Sequence, residues 1–364
     1  MSHAIEVKVR YQKEYPVYVG MDLWDTFHDF CSQRYSSRKA YIIIDARVNK
    51  LHGQQVLAAC TEYFDNCAVI EVPEGERSKS MSEWGALTDA ILEQGAERTT
   101  PVIAVGGGVT GDLAGFTAAS VLRGIPLIHI PTSLLAMVDS SIGGKTGINH
   151  HTGKNLIGAF YQPDAVFADI LFLETLEARE WINGLSEIIK YAAIRDPEIF
   201  DRGQQLVKEG FVPSAGWAGL IADSAQIKTD IVREDTLEAG KRAYLNFGHT
   251  FAHALEKNAG FGVISHGEAV FIGMLAASYM SQRNGADIDC ARFNPFIPLY
   301  NIDLEDPAVD TEKLISLMAR DKKVKDDTIR LVLLKAWGNP VLTKCDDATL
   351  LKDAWKFALD QLKQ

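Results

Sequence analysis

The sequence predicts an α/β N-terminal domain built on a mostly parallel sheet, followed by a mostly α-helical C-terminal domain, divided near residues 172–180. Three observations predict this. Short apolar runs recur through the first half, each closed by an acid, a proline or a glycine, as suits buried parallel strands. Helical patterning then takes over, with little strand signal before Ile329-Arg-Leu-Val-Leu-Leu334. At 364 residues the chain is also too long for one ordinary core, which favours domains at 1–176 and 177–364.

Composition narrows the class. The chain is 47% hydrophobic and 23% charged, as a water-soluble globular protein should be. A net charge of -11 argues against a nucleic-acid or membrane-surface partner, so an anionic ligand would need local basic residues. No apolar run reaches membrane-spanning length, and no signal peptide is expected, since charges recur from Glu6 onward. The cysteines (Cys31, Cys60, Cys67, Cys290, Cys345) are odd in number and scattered, and none forms a Cys-x-x-Cys. They read as reduced thiols of a cytoplasmic protein.

In chain order, residues 5–10 alternate as a half-exposed strand, with Pro16-Val-Tyr-Val-Gly20 expected to pair with it as a hairpin. Tyr41-Ile-Ile-Ile-Asp45 reads as a buried strand. Its terminal acid suits either a ribose or the cap of the next helix. Ala68-Val-Ile-Glu-Val72 delivers the loop Pro73-Glu-Gly-Glu-Arg-Ser-Lys79. Pro101-Val-Ile-Ala-Val105 is the clearest central strand, and Gly106, Gly108 and Gly111 after it satisfy G-x-G-x-x-G. Such glycines let backbone N–H groups approach a pyrophosphate at a helix N-terminus. The ribose-binding acid expected about 20 residues on is missing, and Asp45 could replace it. Leu127-Ile-His-Ile-Pro131 is the next strand, ending in Thr132-Ser133. Between Asp139 and Asn155, two lysines, Lys145 and Lys154, lie among glycines and amides. The flanking runs Leu134–Val138 and Leu156–Phe160 are expected to draw this segment inward, where buried lysines could hold phosphate or carboxylate. Val166-Phe-Ala-Asp169 reads as the last strand of the first domain.

In the second half, Glu187 and Lys190 share a face of an apolar helix and read first as a structural ion pair. Lys228, Arg233, Glu238 and Arg242 lead towards three histidines within 18 residues: His249, His253 and His266. The four-residue spacing stacks His249 and His253 on one helix face, with Asn246 just upstream. Imidazoles with a carboxylate from elsewhere would suit a Zn²⁺ site that keeps a position open for substrate. Arg320-Asp-Lys-Lys323 reads as an exposed charged turn.

Taken together, these stretches resemble the 3-dehydroquinate synthase family of sugar phosphate cyclases. The matching motifs are Glu74-Gly-Glu-x-x-Lys79, Gly-Gly-Gly-Val-Thr-Gly-Asp112, Arg123-Gly, Gly-Gly-Lys145-Thr, Gly-Lys154-Asn155, Glu187-x-x-Lys190-Tyr, Leu-Asn246-Phe-Gly-His-Thr-Phe-x-His253-Ala and His266-Gly-Glu268. Asp321-Lys-Lys323 extends the match.

The resemblance implies an NAD-binding α/β domain, a mostly helical metal-binding domain, and an active site in the cleft. The spacing alone does not choose between His249 and His253. The resemblance implies Glu187, His253 and His266 as ligands of Zn²⁺ or Co²⁺, with His249 nearby in the substrate pocket. It implies NAD contacts at Asp45; at Glu74, Gly75, Glu76, Arg77, Ser78 and Lys79; and at Gly107, Gly108, Val109, Thr110, Gly111 and Asp112. Further NAD contacts are implied at Thr132, Ser133, Lys145 and Lys154, and at Phe172, Leu173, Glu174 and Thr175. Substrate is expected to be held by Lys145, Asn155, Lys190, Lys228, Glu238, Arg242, Asn246 and Lys323, with Asp139 orienting hydroxyls. Arg123 is implied to reach the neighbouring site across a homodimer.

The implied reaction turns 3-deoxy-D-arabino-heptulosonate 7-phosphate into 3-dehydroquinate and phosphate. It runs through transient oxidation, β-elimination of phosphate, re-reduction and an intramolecular aldol closure. Two enzyme alternatives are kept: a cyclase making 2-deoxy-scyllo-inosose or a valiolone, and a metal-dependent polyol dehydrogenase of the same fold. A non-catalytic sugar-phosphate or nucleotide sensor is the third.

Overall fold

A computed structural model describes residues 13–238, 240–260, 263–300, 310–321 and 329–363. The expected strand at 5–10, and Lys322 and Lys323, lie outside the described residues.

The first half alternates strand and helix: β1 (Val17–Gly20), α1 (Trp24–Arg34), β2 (Lys39–Asp45), α2 (Ala46–Thr61), β3 (Asn66–Val72), α3 (Met81–Glu93), β4 (Val102–Gly106), α4 (Gly108–Ser120) and β5 (Leu127–Pro131). A hairpin of β6 (Lys145–His150) and β7 (Gly153–Phe160) intervenes before β8 (Ala165–Asp169). Six strands form one sheet in the order β1-β8-β5-β4-β2-β3, every pair parallel. β1 therefore pairs with β8, placing Val17 beside Val166, and its described partner is not a hairpin neighbour.

β4, β5 and β8 are buried along their whole length, which is why they read as unbroken apolar runs. One face of the sheet (Tyr41, Ile43, Val102) packs on Leu87 and Ile91 of α3 and Leu113 and Ala114 of α4. The other face (Ile42, Ile44, Ile103, Val105) joins a cluster that runs on into Trp181, Leu185 and Ile189 of the helical half. The largest apolar cluster is thus continuous across the two halves rather than split between them.

The second half comprises α5 (Ala178–Ile194), α6 (Glu198–Glu209), α7 (Ala215–Glu234), α8 (His249–Ala259), α9 (His266–Arg283), α10 (Thr311–Asp321), a hairpin of β9 (Ile329–Ala336) with β10 (Asn339–Cys345), and α11 (Ala348–Gln361). The expected late strand is β9, and its antiparallel partner β10 was not anticipated. α9 is buried almost all round, from Gly267 to Ser281, as is α5 from Asn183 to Ile194. Helices buried on every face belong at the centre, and the polar groups α5 carries there are functional candidates.

The segment at 145–160 differs from expectation. It is a two-stranded antiparallel hairpin whose second strand faces solvent, with Leu156 62% and Phe160 46% exposed. Leu134–Val138 does turn inward, because it ends in a buried π-helical turn, Ala136–Ser140, under α5 and α7. Among the described residues no helix is long and apolar enough to cross a membrane. All five cysteines are free thiols.

Candidate active site

The sheet order reverses between β2 and β4: β3 lies outside β2, whereas β5 continues on the far side of β4. Open α/β sheets bind ligands at such a switch point, beyond the carboxyl ends of the strands. Ile44 of β2 pairs with Val105 of β4, so Asp45 and the glycine loop Gly106–Gly111 leave the sheet side by side. That placement puts an acid from the earlier strand at the switch point. Asp45 accepts hydrogen bonds from the N–H groups of Arg47 (2.9 Å) and Val48 (3.2 Å), so it caps α2 through Oδ1.

α4 begins at Gly108 behind Gly107, with no side chain capping its first N–H groups. A Cβ at Gly108 would stand 2.8 Å from Ser140 Oγ, and one at Gly107 would stand 3.4 Å from Ser133 Oγ. The loop is thus a bare, positively polarised helix end pressed against its neighbours, the kind of cradle a pyrophosphate fits. Thr132 borders it, donating its N–H to Gly106 O at 3.0 Å.

At the start of α8 and α9, three donor groups converge: Glu187, His249 and His266 each offer one ligand atom, all within 4.8 Å of one another. Nε2 of His249 and Nε2 of His266 each lie 3.5 Å from Oε1 of Glu187. A tetrahedral Zn²⁺ with bonds of about 2.0–2.1 Å would hold two donors roughly 3.3 Å apart, close to this spacing. Both carboxylate oxygens of Glu187 are buried without a well-formed hydrogen bond. His249 Nδ1 lies 3.1 Å from Phe247 O; donating its proton there leaves the Nε2 lone pair facing Glu187. Burial holds the His249 pKa below the usual imidazole range, favouring the neutral form that binds metal. The residues present therefore fit a divalent cation.

Where the resemblance implies His253, the structure brings His249 to Glu187 and His266. His249 is the first residue of α8, just after Gly248 (φ 80). Carbonyl O of Gly248 sits where a Cβ at Gly273 of α9 would be, so the two helices touch backbone to backbone there. His253 is one turn farther along and exposed, its ring 5.8 Å from that of His249 and nearly perpendicular to it.

Next to the donors lies a buried network of charge. Lys190 Nζ abuts Glu187 Oε2 and is 3.7 Å from Asp139 Oδ1. Lys228 Nζ donates to Asp139 Oδ1 at 2.8 Å and to its carbonyl at 2.6 Å. Tyr191 OH donates to the same Oδ1 at 2.6 Å. Burial pushes the Asp139 pKa up, but Lys228 and Lys190 outweigh it and hold the carboxyl well below its usual range. Burial pulls Lys228 down to about 8, against the pull of Asp139. Arg242 is 1% exposed and donates to Thr236 O (2.6 Å) and Gly143 O (3.0 Å), while its Nε is buried without a partner. Nε and the unused hydrogens of the terminal nitrogens remain for an anion.

The same architecture occurs in known proteins. Family models for the N-terminal and C-terminal parts of 3-dehydroquinate synthase match residues 69–183 and 184–324. A 3-dehydroquinate synthase from Salinibacter ruber is 47% identical over 294 residues, 79% of either chain. The chain belongs to the 3-dehydroquinate synthase family. Among solved structures, this family member is similar to ValA, a 2-epi-5-epi-valiolone synthase from Streptomyces hygroscopicus with NAD⁺ and Zn²⁺ bound. The TM-score is 0.88 at 28% identity, covering 98% of this chain and 100% of that one. A 2-deoxy-scyllo-inosose synthase complexed with carbaglucose-6-phosphate, NAD⁺ and Co²⁺ gives 0.80 at 27% identity, covering 93% and 96%. Glycerol dehydrogenase from Schizosaccharomyces pombe shares the fold, with a TM-score of 0.65 at 16% identity and coverage of 98% and 93%.

The remaining positions singled out in this synthase-family chain fall into three groups. Around the glycine loop, Lys79 is 4% exposed and donates to Asp112 Oδ2 (2.6 Å) and Asn155 Oδ1 (2.5 Å), joining the expected cofactor and substrate sides. Glu76 accepts from Asn149 Nδ2 at 2.7 Å, Glu74 lies 3.8 Å from Arg47, and Arg77 is exposed. Near the substrate side, Lys145 pairs with Glu238, which also accepts from Asn246 Nδ2 at 3.0 Å. Lys154 Nζ is 3.2 Å from Glu256 Oε1. Farther out, Phe172 and Leu173 turn into the core, whereas Glu174 and Thr175 are exposed. Arg123 is exposed on a left-handed turn (φ 65).

Glu256, Tyr191 and Asn149 were not singled out from the sequence. Glu256 stands 3.8 Å from His266 Nδ1. It lies seven residues after His249, two turns along α8, a spacing that could have marked it.

Proposed function

We propose that the chain is a 3-dehydroquinate synthase. It would hold NAD and one divalent cation, Zn²⁺ or Co²⁺, and convert 3-deoxy-D-arabino-heptulosonate 7-phosphate to 3-dehydroquinate and phosphate. The observation that carries this reading is the convergence of Glu187, His249 and His266 beside the buried cations Lys190, Lys228 and Arg242. An acidic protein holds three cations out of water where an anionic sugar would meet the metal donors, and family membership supports the same reading.

When bound, NAD supplies a hydride acceptor and later donor, and the cation a Lewis acid for a sugar hydroxyl. Glu187, His249 and His266 would hold the cation, and the glycine loop with the α4 N-terminus would hold the pyrophosphate. Arg242 would take the carboxylate and Lys145 and Lys228 other anionic or hydroxyl oxygens, with Asn246 and Glu238 orienting them. Lys190 and Asp139 would form a charged pair beside the reacting hydroxyls. With Asp139 ionised and Lys190 charged, the pair presents an acceptor and a donor that can orient the sugar hydroxyls.

A homodimer fits the exposed hairpin strand β7. Arg123 is exposed next to Gly124, near Tyr161, which follows that strand, and in such a dimer it would reach the neighbouring active site. A cytoplasmic location fits the free thiols.

The test is phosphate release from the heptulosonate by chelated protein, with and without added Zn²⁺. The expected result is metal-dependent release with no net NADH. Sedoheptulose 7-phosphate or glucose 6-phosphate as the better substrate would favour the valiolone or inosose reading, to which the solved relatives lend weight. Accumulating NADH would instead indicate a polyol dehydrogenase.

A further inference from the structure

α5 and α9 carry Glu187 and His266 on separate helices, so something must set the distance between them. Two ties flank His266. Arg179, in the first turn of α5, grips Glu268 with both arms of its guanidinium: Nε donates to Oε1 at 3.1 Å and a terminal nitrogen to Oε2 at 2.8 Å. The same nitrogen donates to Val263 O at 3.2 Å, so Arg179 also holds the loop entering α9. Glu268 closes a capping box with Ser265, accepting its N–H at 2.6 Å. One turn along α5, Oδ1 of Asn183 accepts the N–H of Gly267. A Cβ at Gly267 would collide with the backbone of Asn183, so the helices touch directly at that point. Glu187 lies one turn beyond Asn183 on the same helix.

We propose that Arg179 and Asn183 are positioning residues for the divalent-cation donors. They hold the first turn of α9 against α5, and so keep His266 at its working distance from Glu187. This rests on the cation reading above. Neither residue touches the donors' ligand atoms. Their contribution is preorganisation, of the kind whose loss in a supporting shell lowers metal affinity about 10- to 100-fold.

The test titrates Co²⁺ into chelated full-length protein, following visible absorption and competition with a chromophoric chelator. It compares wild type with Arg179→Gln, Arg179→Lys, Asn183→Ala and, as a remote control, Arg202→Gln. Arg179→Gln and Asn183→Ala are expected to weaken Co²⁺ binding at least tenfold and shift the Co²⁺ band. Arg179→Lys, which keeps the charge without the fork, should be intermediate, and Arg202→Gln should match wild type. Wild-type affinity and an unshifted band in Arg179→Gln and Asn183→Ala would overturn the proposal while leaving the cation reading intact. Wild type that binds no Co²⁺ would instead remove the cation reading, and this proposal with it. If Arg179→Gln does not fold, Arg179→Lys is decisive: a wild-type affinity and band there overturn the role of Arg179.

Discussion

Nε2 of His249 and Oε1 of Glu187 face each other at 3.5 Å, with the other nitrogen of the ring 3.1 Å from the Phe247 carbonyl. With Nδ1 donating to that carbonyl, the ring turns the Nε2 lone pair towards the acid, where a cation would sit between them. His249→Ala is therefore expected to cost most of the bound metal, lowering Zn²⁺ affinity at least 100-fold, whereas His253→Ala should keep near-stoichiometric metal. Metal analysis after dialysis against a weak chelator separates the two. Equal loss from both variants would return His253 to the ligand set.

Lys228 supplies a pH limb. Its ammonium is buried and held down to about 8, so its charge is lost as the pH rises through that value. If it holds an anionic substrate, KM should rise about tenfold per pH unit above the break, because only the charged form binds. Burial is the larger cause of the lowered value and Asp139 opposes it. Asp139→Asn should therefore move the break to lower pH. A break unmoved by that change would assign the limb to another group.

Gly248 adopts φ 80, and a Cβ there would lie 2.8 Å from the backbone nitrogen of Met274 and 2.9 Å from Val270 O. Gly248→Ala should cost about 2–4 kcal/mol, from backbone strain together with overpacking. It should also weaken metal binding, since His249 is the next residue. Chemical denaturation and Co²⁺ titration read the two effects, and an unchanged unfolding midpoint would contradict the account of the α8–α9 contact.

Lys79 is the counter-ion of Asp112 at 2.6 Å. Lys79→Met would leave a carboxylate that burial already pushes up without its main compensating charge. Loss of stability is expected, below the about 3–5 kcal/mol of a fully buried broken pair because Asp112 keeps some solvent access. NAD affinity should fall at the same time. Asp112→Asn with Lys79→Met should recover part of the stability, measurable by denaturant titration.

Leu156 is 62% exposed on an outer hairpin strand that has no third strand beside it among the described residues. If that strand joins two copies, Leu156→Asp should shift sedimentation from dimer to monomer at micromolar concentration. A monomeric wild type would remove the dimer reading and the reach assigned to Arg123.

Much of the fold was legible in the chain because local chemistry dictated it. The runs at 41–45, 101–105, 127–131 and 166–169 became β2, β4, β5 and β8, since a strand buried on both faces must be apolar throughout. The glycine loop after β4 and the polar capacity of Glu187, Lys190 and Arg242 were likewise visible as residue types at fixed spacing. What tertiary structure alone decided was which side chains meet. His249 and His253 are equivalent by helical periodicity, and it is the packing of α8 on α9, at Gly248 and Gly273, and on α5 that places the first of them beside Glu187. The pairing of β1 with β8, and the outward turn of Leu156 and Phe160, follow from the same cause. Periodicity specifies a face, but the partner of that face is set by non-local packing.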